Sequence, residues 1–433
     1  MVRVLGKDPA RGALTEARIG KLDAPPAGFT AGARAEALAR LRAAGLPSRR
    51  DDYWRYTDPA GLVAEAAGRL AGSGGGDGEL AAIGAGVTVG FTDGVFDAAR
   101  SDALVLAGAE VERLAAVTAD IHWARGLYGA LEAAGQDPVP RPLATLNTAA
   151  AADGVLVRVT GRAARPLRLS YASAGGASDA VLHHVVRLEP GAELTLIETG
   201  TGGARVNTVL EVEVGAGARF HHVRAQGSDP DRQVATHVFA KIGAGAVFKS
   251  FTAALNGRLT RNEAVLDIAG DGAVAHVAGV ALGDAAAGPF HHDDTVFVTH
   301  GAVGCKSRQV FKKVLRHGAT GVFQGKILVK KGAQKTDGYQ ISQALLLDED
   351  SQFLAKPELE IYADDVKCSH GSTTGAIDET ALFYLRSRGV GREEAVRLLV
   401  LSFLADAIGE IEDEALRDEV AAGLEAWMTG HRG

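Results

Sequence analysis

The sequence is poor in cysteine, in aromatic residues and in long hydrophobic runs. Its 433 residues include two cysteines, Cys305 and Cys368, which excludes a disulfide-stapled scaffold and a four-cysteine zinc site. No stretch approaches 18 consecutive apolar residues, so the sequence predicts no membrane-spanning helix. Few cysteines and an N-terminus without a signal-peptide pattern together predict a cytoplasmic protein.

The sequence also has no excess of positive charge, and it lacks the common catalytic sequence motifs. The 46 Lys and Arg residues are outnumbered by 53 Asp and Glu residues, and the net charge of −7 argues against a nucleic-acid binder held by bulk charge. The sequence contains no GxSxG, HExxH, P-loop or paired CxxC motif. No catalytic constellation therefore stands out, and we expect a chain that binds no nucleotide by itself.

Glycine, in contrast, is abundant, and part of it recurs at a near-fixed period. A Gly-Ala pair followed by a strand-like run begins at Gly191, Gly217, Gly245, Gly272 and Gly301, which lie 26, 28, 27 and 29 residues apart. A period of this length is typical of a solenoid, whose units bury their apolar faces only by stacking. Helical signals are weak here, so a β-solenoid is favoured over the alternative, an antiparallel sandwich joined by glycine turns.

The pattern divides the chain into three parts. Residues 1–150 are predicted to be mostly helical, with helices over 31–46 and 111–134, residues 151–374 to form the solenoid, and residues 375–433 to be helical. Asp378 is a suitable N-cap and Gly389 a suitable stop for the first of three C-terminal helices. An apolar stripe with Leu399 and Phe403 on the second helix fits either internal packing or docking. The helical parts are expected to cap the ends of the solenoid.

Cys368 and His370 form the pair best suited to metal chemistry. In an extended strand, residues two apart leave the same face, and thiolate with imidazole suits zinc or an iron–sulfur species. Two ligands do not close a site, so the remaining ligands would come from elsewhere in the chain or from a partner. Lys367 beside the thiol is expected to lower its pKa modestly. The alternative is a buried structural cysteine beside a capping histidine.

Adjacent aspartates suggest a different class of function. A β-helix polysaccharide lyase or hydrolase needs clustered carboxylates, and Asp293-Asp294 and Asp364-Asp365 are the obvious candidates. Neighbouring residues of a strand point to opposite faces, which disfavours such an enzyme. A purely structural solenoid adaptor is a third possibility.

One long segment resembles a known protein family. The segment from Lys335 to Val390, which contains KTDGYQ, KCSHG and LFYLRSRG, resembles the signature region of the SufB/SufD family of iron–sulfur cluster assembly proteins. KCSHG followed by LFYLRSRG is similar to the SufD branch and disfavours the SufB paralogue, and WRYTD from Trp54 to Asp58 is also SufD-like. The resemblance extends over about residues 150–425 and is loose over the first 150.

The resemblance implies a mainly β protein with a right-handed parallel β-helix core flanked by N-terminal and C-terminal helical regions. It implies pairing with SufB through the β-helix, and a C-terminal region that holds the ATPase SufC, which binds the ATP. This chain would be a non-catalytic subunit of the complex on which iron–sulfur clusters are built. The family places the motif at the SufB interface, so Cys368 and His370 become candidate cluster or iron ligands there. Cys305 matches no family motif and is given no role.

Overall fold

The computed structural model describes residues 9–22, 28–70, 80, 82–227 and 229–430, which form helices at both ends of the chain and strands between them. The helices are α1 (Pro9–Ile19), α2 (Ala31–Ala44), α3 (Ala60–Val63), α4 (Ala130–Ala134), α5 (Pro142–Ala150), α6 (Glu379–Ser387), α7 (Arg392–Ile408) and α8 (Glu414–Gly430). The strands are β1 (Val87–Thr92), β2 (Val95–Phe96), β3 (Ala109–Arg113), β4 (Val155–Val159), β5 (Leu167–Ala172), β6 (Asp179–Leu188), β7 (Glu193–Gly200), β8 (Arg205–Val214), β9 (Arg219–Gln226), β10 (Gln233–Ile242), β11 (Val247–Leu255), β12 (Leu259–Ile268), β13 (Val274–Asp284), β14 (His291–His300), β15 (Lys306–Arg316), β16 (Thr320–Val329), β17 (Asp337–Leu346), β18 (Gln352–Ile361) and β19 (Lys367–Gly375). No helix in this part of the chain is long and apolar enough to span a membrane.

The strands from β4 to β19 wind into a parallel β-solenoid. Even-numbered and odd-numbered strands alternate between a nine-stranded sheet and a ten-stranded sheet, so that each successive pair forms one coil and the whole has about eight coils. Neighbours within each sheet run parallel and in register, as where Gln233 of β10 lies beside Leu259 of β12. The predicted parallel β-helix with flanking helices is therefore confirmed, and the antiparallel sandwich is wrong.

The Gly-Ala repeat marks the turns that lead into β7, β9, β11 and β13. Gly191, Gly217, Gly245 and Gly272 have φ values of 72°, 66°, 61° and 67°, a left-handed conformation that glycine adopts without steric cost. In the next coil this position is taken by Gly304, with φ 67°, rather than by Gly301. The residue after each of these glycines is buried, and together they form a column along the solenoid: Ala192, Ala218, Ala246, Ala273 and Cys305. Cys305 thus fills an alanine position of the core, and burial raises the pKa of its thiol.

The N-terminal region contains strands as well as helices. β1 runs parallel to β5 and carries the short antiparallel β2, while β3 pairs antiparallel with β4. These strands close the first coil of both sheets. The helix expected over 111–134 is therefore wrong in its first part, where β3 lies, whereas the helix expected over 31–46 is present as α2.

The N-terminal helices cover the outer face of the nine-stranded sheet through buried charges as well as apolar contacts. Glu211 of β8 is fully buried there and accepts hydrogen bonds from the backbone N–H groups of Gly129 (2.5 Å) and Glu132 (2.8 Å). His183 of β6 contacts the same carboxylate at 2.8 Å. The sheet face therefore holds this region by specific polar contacts, which distant parts of the sequence supply.

The C-terminal helices cover the outer face of the ten-stranded sheet. Asp378 caps α6 by accepting hydrogen bonds from Thr380 N (2.8 Å) and Ala381 N (3.1 Å), as the sequence predicts. α7 packs on β13 and β15 and buries Val400 and Leu404 in one apolar cluster with Val310. Of the predicted stripe, Phe403 is half-buried and packs against this cluster. The expectation that the helices cap the ends is wrong, because they cover a face and leave the last coil open.

Candidate functional site

The last coil of the solenoid ends in two unpaired strand edges. β18 has only β16 beside it, and β19 has only β17, among the residues that the structure describes. Most residues of β18 are half-buried and most of β19 are exposed, whereas the strands of the preceding coils are largely buried. This end is where the sequence-predicted pair, Cys368 and His370, lies.

The backbone of β19 presents a free row of hydrogen-bonding groups. Lys367 N donates to Thr336 O of the preceding coil at 2.8 Å. In a parallel ladder alternate residues bond to opposite sides, so the N–H and C=O groups of every second residue point away from β17. In β19 these residues are Cys368, His370, Ser372 and Thr374. The strand therefore offers a ladder of donors and acceptors beside its two candidate ligands.

The edge of β18 is less complete. Gln352 N donates to Ala319 O (3.0 Å) and Tyr362 N to Val329 O (2.9 Å), so the odd-numbered residues of β18 direct their backbone outward. One of these is Pro357, which has no N–H to offer. Proline at such a position weakens an edge as a template for pairing. A strand added to this end would consequently find its fuller ladder on β19.

Cys368 points into the end of the solenoid. It lies beside Gly338 in the sheet, where a Cβ would be only 3.2 Å from its Sγ, so the glycine leaves room for the sulfur. The side chain is half-buried and packs with Ile327 and Leu359. Burial raises the pKa of the thiol, so the lower pKa expected from Lys367 is wrong. The side chain of Lys367, the adjacent residue in the strand, points to the other face.

His370 leaves the same face as Cys368 and is exposed. Its neighbour in the sheet is Gln340, which is fully buried and donates from Nε2 to Gln309 Oε1 at 2.8 Å. Oε1 of Gln340 has no hydrogen-bond partner in the described part of the chain. Two residues further, Ser372 and Ser342 hydroxyls lie 2.7 Å apart, which shows that this face of β19 continues the inner face of the solenoid. The same-face geometry expected from the spacing is present.

The structure brings no third metal-binding side chain to this pair. Within the described ranges, no group of three or more His, Cys, Asp or Glu side chains is positioned to hold a metal ion. The pair is therefore half of a site at most, open to whatever covers the last coil. Cys305 is not part of this site, since it is buried in the alanine column of the core.

The aspartate pairs do not form a catalytic centre. Asp293 lies on the outer face, where it pairs with Arg261 at 2.5 Å, while Asp294 lies on the inner face and pairs with Lys313 at 2.5 Å. Asp365 is exposed and pairs with Lys335. Asp293 and Asp294 thus diverge as strand geometry requires, whereas Asp364 and Asp365 lie in the exposed bend between β18 and β19. The buried members, Asp293 and Asp294, are neutralised by cations rather than aimed at a cleft.

A second surface was missed by sequence reasoning. Phe383 and Tyr384 of α6 are 70% and 58% exposed, although the helix buries Leu382. Adjacent large aromatic residues in solvent are unusual for a surface helix and are typical of a protein contact. The LFYLRSRG motif contains them, but only the packing of α6 shows which of its residues face outward.

The WRYTD segment contributes to the open end from the other side. Trp54 is buried under the guanidinium of Arg261, 4.0 Å from the ring centroid, and Thr57 donates to Asp293 at 2.5 Å. The preceding Tyr53 donates to Glu358 of β18 at 2.5 Å. The segment therefore fixes the outer face of the last coils and leaves their edges free.

The fold and this open end define a parallel β-solenoid with an unpaired terminal coil, an architecture that strands of another chain can extend. The family model for "SUF system FeS cluster assembly, SufBD core domain" matches residues 171–403. The chain is 30% identical over 406 residues to the iron–sulfur cluster assembly protein SufD of Escherichia coli (strain K12), with 91% of this chain and 92% of that protein covered. The chain belongs to the SufBD family of iron–sulfur cluster assembly proteins and is SufD-like.

Two further relatives match over shorter segments. A SufBD family protein of Mycobacterium leprae (strain TN) is 33% identical over 198 residues, 44% of this chain and 50% of that protein. The SufD protein of Bacillus subtilis (strain 168) is 35% identical over 117 residues, 26% of this chain and 27% of that protein. The SufBD resemblance inferred from the motifs is therefore confirmed.

Proposed function

We propose that this chain is the non-catalytic SufD-like subunit of a cytoplasmic complex with SufB and the ATPase SufC. SufB pairs with the open end of the solenoid, and SufC, which binds the ATP, docks on the C-terminal helical region, residues 375–433. The iron–sulfur cluster is the cargo assembled on the complex. The observation that carries the proposal is the unpaired terminal coil, because it places a free backbone ladder and the Cys368–His370 pair on one surface.

The cost of leaving that edge free supports pairing with SufB. Exposed strand edges are templates for strand addition, and proteins commonly blunt or cover them. Here the first coil is closed by β2 and β3, whereas the last coil keeps the outward groups of β19. Because Pro357 interrupts the edge of β18, we place the main contact on β19.

Cys368 and His370 act as half of a metal or cluster site that SufB completes. The two side chains leave one face of β19, with Cα atoms about 6.6 Å apart at the usual rise of a strand. Since burial raises the pKa of the Cys368 thiol, iron binding has to displace its proton. Cluster loading should accordingly weaken as the pH is lowered.

Single substitutions test the site role. Cys368→Ser and His370→Ala are co-expressed with SufB and SufC, purified anaerobically, and compared for complex yield and for the cluster absorption spectrum. We expect intact complexes with severalfold less cluster, and a larger loss for His370→Ala, because that ring is exposed whereas the Cys368 sulfur is tucked over Gly338. Cys305→Ala is the matched cysteine control, and Ser369→Ala is the control on the opposite face of β19.

The outcomes separate the roles of the two residues. Normal cluster yield in both variants would show that the donors lie wholly on SufB. Loss of SufB from the purified complex would instead assign the residue to positioning the partner. Hydrogen exchange gives an independent check, since the amides of Cys368, His370, Ser372 and Thr374 should become protected only in the presence of SufB.

Docking of SufC is best tested on α6. Deleting α7 and α8 would uncover the sheet face that Val400 and Leu404 bury, so the loss of binding would be confounded by unfolding. Phe383→Ser with Tyr384→Ser removes exposed aromatic surface alone and should reduce SufC capture at least tenfold. Ile121→Ser is the matched control, because Ile121 is 86% exposed in the N-terminal region. Undiminished capture by the double variant would refute this docking surface.

A further inference from the structure

Polar side chains line part of the solenoid interior. Inward-facing residues from consecutive coils form a connected network in which Tyr171 donates to Glu198 (2.7 Å), Arg224 donates to Thr236 (2.9 Å), Thr236 donates to Asn262 (2.7 Å) and Lys313 contacts His292 Nδ1 (2.7 Å). The remaining members are His184, His222, Gln226 and Asp294. We refer to these residues as the inner network. Interiors of this kind are costly unless each charge and polar group is satisfied.

The charges of this interior do not balance. Glu198 pairs with Arg224 at 2.7 Å, and Asp294 pairs with Lys313 at 2.5 Å. Arg232, which follows the turn between β9 and β10, is a third buried cation, and no carboxylate of the described residues lies within ion-pair distance of it. Asp229 acts on it only from further away. The interior therefore carries one excess positive charge.

The histidines of the inner network do not offset this excess, since a histidine is either neutral or positive. Burial lowers the pKa of His184 to about 4 and also lowers the pKa of His222 and of His292. All three rings are therefore neutral near pH 7, and the charge count rests on the arginines, the lysine and the two carboxylates.

Arg232 is held in place with part of its guanidinium unused. The side chain is 1% exposed, and Nη2 donates to Asn256 O at 3.1 Å. Its Nε has no hydrogen-bond partner in the described part of the chain. Burial lowers the pKa of Arg232 to about 10, which reflects the same uncompensated charge.

A small cavity adjoins this arginine. Its volume is about 20 Å³, and its lining includes Thr201, Thr208, Gln226 and Arg232, together with Glu198, whose carboxylate is paired with Arg224 in the same lining. The hydroxyls of Thr201 and Thr208 are buried and lack partners among the described residues. A space of this size admits one water molecule or an ion of similar size, and it excludes phosphate or sulfate.

We propose that this cavity binds one halide-sized monovalent anion, chloride in the cell, between Arg232 and the hydroxyls of Thr201 and Thr208. The anion accepts hydrogen bonds from the unused Nε–H and the two hydroxyls and neutralises the excess charge of the interior. It therefore stabilises the coils on either side of the turn between β9 and β10. The site is separate from the open end of the solenoid and does not depend on the proposed function.

Anion-dependent stability tests the site in solution. The thermal midpoint is measured at constant ionic strength while gluconate is replaced by chloride, from about 5 mM to about 200 mM. We expect a rise of about 2 °C for the unaltered chain, since a ligand that binds only the folded state stabilises it. Arg232→Gln should abolish the rise. Arg258→Gln, an exposed arginine that pairs with Asp231 at 2.8 Å, should retain it.

Crystallography of the unaltered protein provides the second measurement. After a bromide soak, an anomalous peak is expected between Arg232 Nε and the two threonine hydroxyls. Density for water without anomalous signal would overturn the proposal, as would an equal chloride response in Arg232→Gln. If Arg232→Gln does not fold, the bromide result decides, because it requires no variant.

Discussion

Glu211 allows the attachment of the N-terminal region to the solenoid to be tested by one substitution. The carboxylate is fully buried on the outer face of β8, where it accepts from Gly129 N and Glu132 N and contacts His183. Glu211→Ala would leave three buried polar groups without their partner. Each unsatisfied buried group costs about 1–3 kcal/mol, and partial hydration of the vacated space reduces the sum. We therefore expect a loss of about 3–5 kcal/mol, as found for broken buried pairs.

Glu213 is the matched control, because it lies two residues further along β8 on the same face. Its side chain is 36% exposed and pairs with Arg187 at 2.7 Å, so Glu213→Ala should cost less than about 1 kcal/mol. Urea unfolding measures both losses, and limited proteolysis shows whether residues 129–150 become accessible first in Glu211→Ala. Equal losses in the free energy of unfolding would refute the role of these buried polar contacts and would show that apolar packing alone holds the N-terminal region on the solenoid.

Three further predictions concern the solenoid itself. Burial lowers the pKa of His300 to about 4, below the 6.5 of the unfolded chain, so stability present above pH 6.5 is lost as the pH falls towards 4. Between pH 7 and pH 5, the free energy of unfolding of His300→Asn should fall by about 2 kcal/mol less than that of the unaltered chain, and equal falls would contradict this. Gly245 has a φ of 61° and open space around it, so Gly245→Ala should lower the free energy of unfolding by about 1 kcal/mol. Gly200→Ala should lower it several times more, because the new Cβ would lie 1.9 Å from Tyr171 O. Similar melting temperatures of the two variants would refute the distinction. Cys305→Ala should fold normally and lose at most about 1.5 kcal/mol in the free energy of unfolding. In the unaltered chain, the buried Cys305 should resist thiol labelling, and rapid labelling would show that the core opens at this coil.

The local signals of the sequence predicted much of the architecture. The Gly-Ala period reflects turns that need a left-handed glycine, as at Gly217 and Gly245, so spacing alone indicates a solenoid. Asp378 caps α6 because an N-cap depends only on the next three residues. The same-face placement of Cys368 and His370 follows from the two-residue period of a strand.

Other features depend on contacts between distant segments, and the sequence could not indicate them. β3 replaces the start of a predicted helix because it pairs with β4, more than 40 residues away. The lower pKa expected for Cys368 and the capping role expected for the C-terminal helices were both wrong, because each depends on the tertiary packing of the segment concerned. The exposure of Phe383 could not be predicted from the sequence, because it depends on how α6 packs.

The sequence by itself determined the repeating unit, the start of α6 and the family, since each resides in short-range pattern or in motif. Tertiary structure alone decided which end of the solenoid is open, which carboxylates are buried beneath the N-terminal region, and that Arg232 lacks a carboxylate partner among the described residues. The physical reason is that a strand's pattern specifies its two faces but not what covers them. Burial, and with it charge compensation and edge exposure, is set by segments that meet only after the chain has folded.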